Sequence, residues 1–157
     1  MQSSPDIEIL LNGEAETLEL GARLASLLRA GDCVALYGDL GAGKTTLSRG
    51  LIQAMDTAIE EIPSPTYTIV QTYEIEPCPV WHFDLYRIDN PMELVELGFD
   101  DALNDISLIE WPENAGSLLP ENRLSVRLAF SGDVRKACLS GGTAEWIDRL
   151  NDHFRKN

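Results

Sequence analysis

A chain that carries Gly38-Asp39-Leu40-Gly41-Ala42-Gly43-Lys44-Thr45-Thr46 has few folds open to it. The stretch fits G-x-x-x-x-G-K-[ST], a loop whose backbone wraps phosphate. A chance match is expected in roughly one chain of this length in two hundred. The flanks strengthen the match. Cys33-Val34-Ala35-Leu36-Tyr37 is a short apolar run suited to a buried parallel strand. From Thr45 to Met55, the apolar residues Leu47, Leu51 and Met55 share one helical face. Strand, glycine loop and helix is the context that the motif requires.

The residue types follow from the chemistry. Glycine opens backbone conformations that bring N–H groups close to phosphate oxygens. The helix start adds unpaired N–H groups and a positive dipole end. Lys44 supplies a full charge to the outer phosphates, and Thr45 offers a hydroxyl to a magnesium ion. A plain glycine turn before a helix is the alternative. Lysine scarcity speaks against it: the chain has only Lys44, Lys136 and Lys156, and one stands where a phosphate needs it.

Charge narrows the partners. With a net charge of −14 and a pI near 4.3, direct binding to nucleic acid or an anionic membrane is not expected. A length of 157 residues suits one domain, 1–157, with 1–6 and 155–157 loose. Cys33, Cys78 and Cys138 are odd in number and in no C-x-x-C pair, as expected of reduced thiols in a cytosolic protein. No basic and apolar leader follows Met1, and no apolar run reaches transmembrane length.

In chain order, Ile7 to Leu11 reads as a strand and Asn12-Gly13 as a turn. A helix then carries Glu14 and Glu16 in its first turn and Ala15, Leu18, Ala22, Ala25 and Leu28 on one face. Pro63 and Pro65 forbid a helix after the phosphate-loop helix. Thr66–Tyr73 and Val80–Leu85 read as strands close enough for an antiparallel hairpin across Pro77-Cys78-Pro79. A short helix over 91–97 has Asn90 as N-cap and Gly98 as stop. Ile106 to Glu110 is a buried strand, and 112–120 is a loop. Leu124 to Phe130 alternates as a half-exposed strand, and Arg135 to Leu139 is its partner across Ser131-Gly132-Asp133. Thr143 caps a last helix with Trp146, Ile147, Leu150 and Phe154 on one face. The order predicts an α/β, P-loop NTPase-like three-layer sandwich. Its central sheet is mixed and mainly parallel, with an antiparallel strand pair.

Hydrolysis needs a second magnesium ligand and a group that orients water. Glu110 ends an apolar strand, where such loops place a metal carboxylate; the other reading is an exposed strand end. Val80, His82 and Asp84 share one strand face. Asp84 is the second candidate, against an ion pair with Arg87 or, for His82, a satisfied core histidine.

Four stretches occur in order: Gly38 to Thr46, Ser64-Pro65-Thr66-Tyr67-Thr68, His82-Phe83-Asp84-Leu85-Tyr86-Arg87 and Glu110-Trp111-Pro112. Together they make the chain resemble the TsaE (YjeE) family, the small ATPases of tRNA threonylcarbamoyladenosine biosynthesis, from about Glu14 to Arg135. The resemblance implies a cytoplasmic, magnesium-dependent ATPase, weak alone. It would support the modification of adenosine 37 in tRNAs reading ANN codons, through partners like the TsaD transferase and its pseudo-subunit TsaB. It also implies that Gly41, Ala42, Gly43, Lys44, Thr45 and Thr46 contact ATP, that Thr45 and Glu110 hold Mg2+, and that Asp84 is needed for turnover. Trp111, Glu14 and Arg135 are implied beside the nucleotide, and Thr66 in a switch-like loop. Pro63 departs from the basic residue common there, and the chain after Leu139 matches little.

Three other classes compete. A small-molecule kinase usually closes an arginine-rich lid, whereas Arg87 is the only arginine over 50–122. A GTP switch usually carries Asn-Lys-x-Asp, and Lys136 and Lys156 each follow an arginine instead. A nucleotide-binding adaptor without useful catalysis is the third, separable by ATP turnover with and without partners.

Overall fold

The computed structural model describes residues 7–39, 41–65 and 68–155. In chain order the elements are β1 (Ile7–Leu11), α1 (Glu14–Ala25), β2 (Cys33–Tyr37), α2 (Lys44–Met55), β3 (Val70–Tyr73), β4 (Val80–Asp84), α3 (Met92–Glu96), α4 (Phe99–Ala102), β5 (Ile106–Glu110), a 3-10 segment (Pro112–Leu118), β6 (Leu124–Ser131), β7 (Val134–Gly141) and α5 (Ala144–Leu150), continued by a π-type turn over Asn151–Arg155. Of the loose ends expected at 1–6 and 155–157, all but Arg155, which ends the π-type turn, lie outside the described residues, as do Thr66 and Tyr67.

The strands form one sheet in the order β1-β7-β6-β2-β5-β4-β3. β2 pairs in parallel with β5 and β6, and β5 with β4, while the pairs β1–β7, β7–β6 and β4–β3 are antiparallel. Thus β1, β6, β2, β5 and β4 run one way and only β7 and β3 run against them. A strand buried on both faces must be apolar throughout, and β2 and β5 are nearly so. On one side Val34, Leu36 and Val126 meet Leu20 and Leu24 of α1, Leu47, Leu51 and Ile52 of α2, and Trp146 and Leu150 of α5. On the other, Cys33, Phe83 and Ile109 meet Leu94 of α3, Phe99 and Ala102 of α4, and Ala115. The three-layer sandwich expected from the sequence is therefore present.

Several local expectations change. The strand expected from Thr66 begins only at Val70, because Ile69 sits at φ 71°. Its N–H donates to the Pro65 carbonyl (2.7 Å) and its carbonyl accepts from the Asp84 N–H (2.8 Å), an arrangement that turns the chain. α4 is too short to leave a periodic signal. The N-cap of α3 is Pro91 rather than the expected Asn90, which stands one residue earlier and still accepts the Met92 N–H at 3.0 Å, with Gly98 following in the left-handed region. Thr143 stands at the start of α5, but its hydroxyl donates to Asn122 Oδ1 (2.8 Å) rather than capping the helix. Arg149 of α5 clamps Asp32 with two bonds of 2.8 and 3.1 Å, pinning the last helix to the entry of β2.

The buried stripe of α1 is Thr17, Leu20, Gly21 and Leu24, not the expected 15-18-22-25-28 face. The cause is a close helix crossing. A methyl group built on Gly21 would strike the Leu47 carbonyl of α2, and one on Gly50 would strike the Leu18 carbonyl of α1. Gly50→Ala would gain about 1 kcal/mol of helix propensity. The clash is with backbone, which yields poorly, and overpacking of this kind costs about 1–3 kcal/mol. The clash should win: Gly50→Ala is expected to lower unfolding stability by up to about 2 kcal/mol in urea titration. A midpoint at or above that of the unsubstituted protein would contradict the crossing.

Candidate nucleotide site

The site lies where β2, β5 and β4 end together and α2 begins. Gly41 (φ 80°) and Gly43 (φ 110°) both occupy the left-handed region. At Gly43 a Cβ would meet nothing closer than Thr17 Cγ2 at 3.6 Å, so the backbone angle and not the space requires glycine. Gly43 is also the N-cap of α2, with no side chain to offer. The first turn of α2 has no acid either, whereas that of α1 holds Glu14 and Glu16. The exposed dipole of α2 is thus left for an anion.

Lys44 is 5% exposed, and its ammonium donates to the carbonyls of Gly38 and Asp39, the latter at 3.0 Å. It also lies 4.3 Å from the centre of the Trp111 ring. Burial lowers its pKa, and the carboxylates of Glu110, Asp84, Glu113 and Asp39 act in the opposite direction. The loop therefore holds a pre-positioned cation beneath its own backbone.

The acids come from register. Parallel pairing sets Asp84, the last residue of β4, beside Glu110, the last of β5, and Glu110 beside Leu36 of β2. All three strands end at one level, which delivers both carboxylates to the loop. The Thr45 hydroxyl donates to Glu110, 3.0 Å from Oε1 and 3.1 Å from Oε2. Asp84 Oδ1 accepts the Tyr86 N–H at 3.0 Å. Glu110 is 2% exposed and Asp84 5%, so Glu110 is not the exposed strand end considered as its alternative.

A cleft of about 220 Å³ is lined by Gly41, Gly43, Lys44, Thr45, Thr46, Asp84, Glu110, Trp111 and Arg135. Arg135 reaches it from β7, donating to the Gly41 carbonyl at 3.1 Å. Two residues singled out in the sequence stand apart. Ala42 is buried beneath the loop, and Glu14 is exposed on α1 outside the cleft lining. His82, read in the sequence as sharing a face with Asp84, with a satisfied core histidine as the alternative, proves to be bonded to Glu110, Nε2 to Oε2 at 2.7 Å. Its signal was the two-residue spacing before Asp84, meaningful only once β4 and β5 are known to be neighbours.

The donor set fits nucleotide phosphates with a magnesium ion. No cluster of three or more His, Cys, Asp or Glu side chains suited to a metal occurs among the described residues. One hydroxyl and one carboxylate suit a magnesium ion that keeps its waters and leans on substrate phosphates. Trp111 should report such binding, because its ring touches the Lys44 ammonium and lies 5.0 Å from the Tyr86 ring. Trp146 is fully buried and Trp81 is bonded to Asp105, so Trp111→Phe serves as the difference control. Mg-ATP is expected to shift tryptophan emission in the unsubstituted protein and not in Trp111→Phe. Equal shifts in both would place the nucleotide elsewhere.

A family model described as "Threonylcarbamoyl adenosine biosynthesis protein TsaE" matches residues 11–137. Among relatives, the tRNA threonylcarbamoyladenosine biosynthesis protein TsaE of Rickettsia felis is 40% identical over 131 residues, covering 83% of this chain and 77% of the relative. The proteins of the same name from Haemophilus influenzae and Bacillus subtilis are 40% and 33% identical, covering 78% and 75% of this chain and 81% and 74% of their own. The crystal structure of Bacillus subtilis YdiB superposes with a TM-score of 0.82 at 25% identity, covering 99% of this chain and 97% of that one.

Proposed function

Because this chain belongs to the TsaE family, we propose that it binds ATP with magnesium and hydrolyses it in support of tRNA threonylcarbamoyladenosine biosynthesis. The observation that carries the reading is the meeting of Lys44, the Thr45–Glu110 pair and Asp84 in one cleft, from the start of α2 and the ends of two strands. Lys44 and the first turn of α2 bind the phosphates. Thr45 and Glu110 hold magnesium, which supplies charge neutralisation at the phosphates when bound. Asp84 orients the attacking water. Gly41, Gly43, Thr46, Trp111 and Arg135 complete the nucleotide-binding walls, with Ala42 buried beneath the loop and Glu14 as a further nucleotide contact from outside the cleft lining.

The 157 residues act as a single ATPase domain in the cytoplasm. No helix among the described residues is long and apolar enough to cross a membrane. The useful partners are a TsaD-like transferase and a TsaB-like pseudo-subunit, and the outcome is the threonylcarbamoyl group on adenosine 37 of tRNAs reading ANN codons. A net charge of −14 supports a link to tRNA through proteins rather than direct contact. The cleft lining includes one arginine, Arg135, already bonded to the loop, so a partner that supplies transition-state charge is in keeping with weak turnover alone.

The test is ATP turnover by the protein alone, with tRNA alone, and with the TsaD-like and TsaB-like proteins. Stimulation by the two proteins is expected. Stimulation by tRNA alone, with no response to the proteins, would sink the partner assignment. Nucleoside mass spectrometry after depletion of the protein should show loss of threonylcarbamoyladenosine.

A further inference from the structure

We propose that His82 is a positioning residue that makes Glu110 a one-oxygen ligand and so tunes the cleft to magnesium over calcium, an inference that rests on the magnesium reading above. His82 is 0% exposed, held in β4 between Gln71 of β3 and Leu108 of β5. Its Nδ1 is buried and has no hydrogen-bond partner among the described residues. Leaving a buried N–H unpaired is the costlier arrangement, so the proton belongs on Nε2, which donates to Glu110 Oε2 at 2.7 Å. The polar capacity of this ring is therefore directed wholly at Glu110.

The two oxygens of Glu110 become unequal. Oε2 faces His82 at 2.7 Å and Thr45 at 3.1 Å, whereas Oε1 meets Thr45 at 3.0 Å. Turning the Thr45 hydroxyl releases Oε1 entirely but leaves Oε2 committed to the imidazole. Magnesium accepts single oxygens in a strict octahedral shell, while calcium favours larger shells in which carboxylates are often bidentate. Occupying Oε2 removes the bidentate option and penalises calcium selectively.

The experiment measures ATP affinity of the full chain by calorimetry at saturating Mg2+ and at saturating Ca2+, for the unsubstituted protein, His82→Gln and His82→Asn. The glutamine amide nitrogen has the reach of imidazole Nε2, and that of asparagine has only the reach of Nδ1. Both variants are polar, and circular dichroism checks that each is folded. The unsubstituted protein should bind ATP more tightly with magnesium, and His82→Gln should keep that preference within about threefold. His82→Asn should lose about tenfold of it, the lower end of what outer-shell partners of a metal contribute. An unchanged preference in folded His82→Asn, equal loss in both variants, or no preference in the unsubstituted protein overturns the proposal. If neither metal nor Glu110→Gln alters ATP binding, the magnesium reading itself fails, a result distinct from a His82-independent preference.

Discussion

Lys44→Ala is expected to abolish ATP binding, a loss of at least about 100-fold, or about 2.8 kcal/mol at about 1.4 kcal/mol per tenfold. Three features set the size of the effect. Lys44 is the only lysine in the first 135 residues, so no other ammonium in that span can take its place. Charge-assisted bonds to phosphate are each worth about 1.5–3 kcal/mol. Acids also crowd the site: Glu110, Asp84, Glu113 and Asp39 all act on Lys44, and without it they repel a triphosphate. The substitution breaks the ammonium bonds to Gly38 and Asp39 but leaves the core side chains Leu47, Leu51 and Ile52 of α2 in place. The variant should therefore fold, which circular dichroism verifies. Calorimetry showing ATP affinity within threefold of the unsubstituted protein, in a folded variant, would overturn the assignment of the loop.

Asp84→Asn is expected to spare ATP binding and to reduce partner-stimulated hydrolysis by about 100-fold, the scale of a positioned acid–base group. The substitution isolates charge from shape. Asparagine keeps an oxygen that can accept the Tyr86 N–H, the bond that Asp84 Oδ1 makes at 3.0 Å. The pairing of β4 with β5 is a backbone matter and is untouched. Glu110→Gln should act differently, weakening the dependence of ATP binding on magnesium, because the Thr45 hydroxyl then faces an amide. Comparing the two variants over a magnesium titration separates the roles. Wild-type hydrolysis by Asp84→Asn with partners present would show that water is oriented by another group.

Much of the architecture was legible because local physics and global fold agree. A four-residue run such as Ile106 to Ile109 suits a buried strand because it is too short for a helix of its own, and the glycine loop demands a strand before it and a helix after it. Where the two disagree, the sequence misled. Ile69 is β-branched and reads as strand, yet it takes a left-handed turn to bond Pro65 and Asp84. The face of α1 was misplaced because small residues carry no hydrophobic signal, and Gly21 and Gly50 are what let the two helices touch.

The sequence by itself determined the G-x-x-x-x-G-K-T loop, the strand-borne acids Asp84 and Glu110 as candidates, and the family, since each rests on residue types at short spacing. Only the tertiary structure decided which of those residues meet. Strand order is a non-local choice: β1 pairs with β7 across most of the chain, and β5 returns between β2 and β4. That order places Glu110 against Thr45, 65 positions earlier, and Arg135 against Gly41, 94 positions earlier. It likewise turns His82 from an ordinary buried histidine into the partner of Glu110. Sequence spacing specifies the chemistry each residue can offer. Sheet order and register bring His82 and Thr45 within 2.7–3.1 Å of Glu110, because the parallel strands β2, β5 and β4 end at one level beside the start of α2.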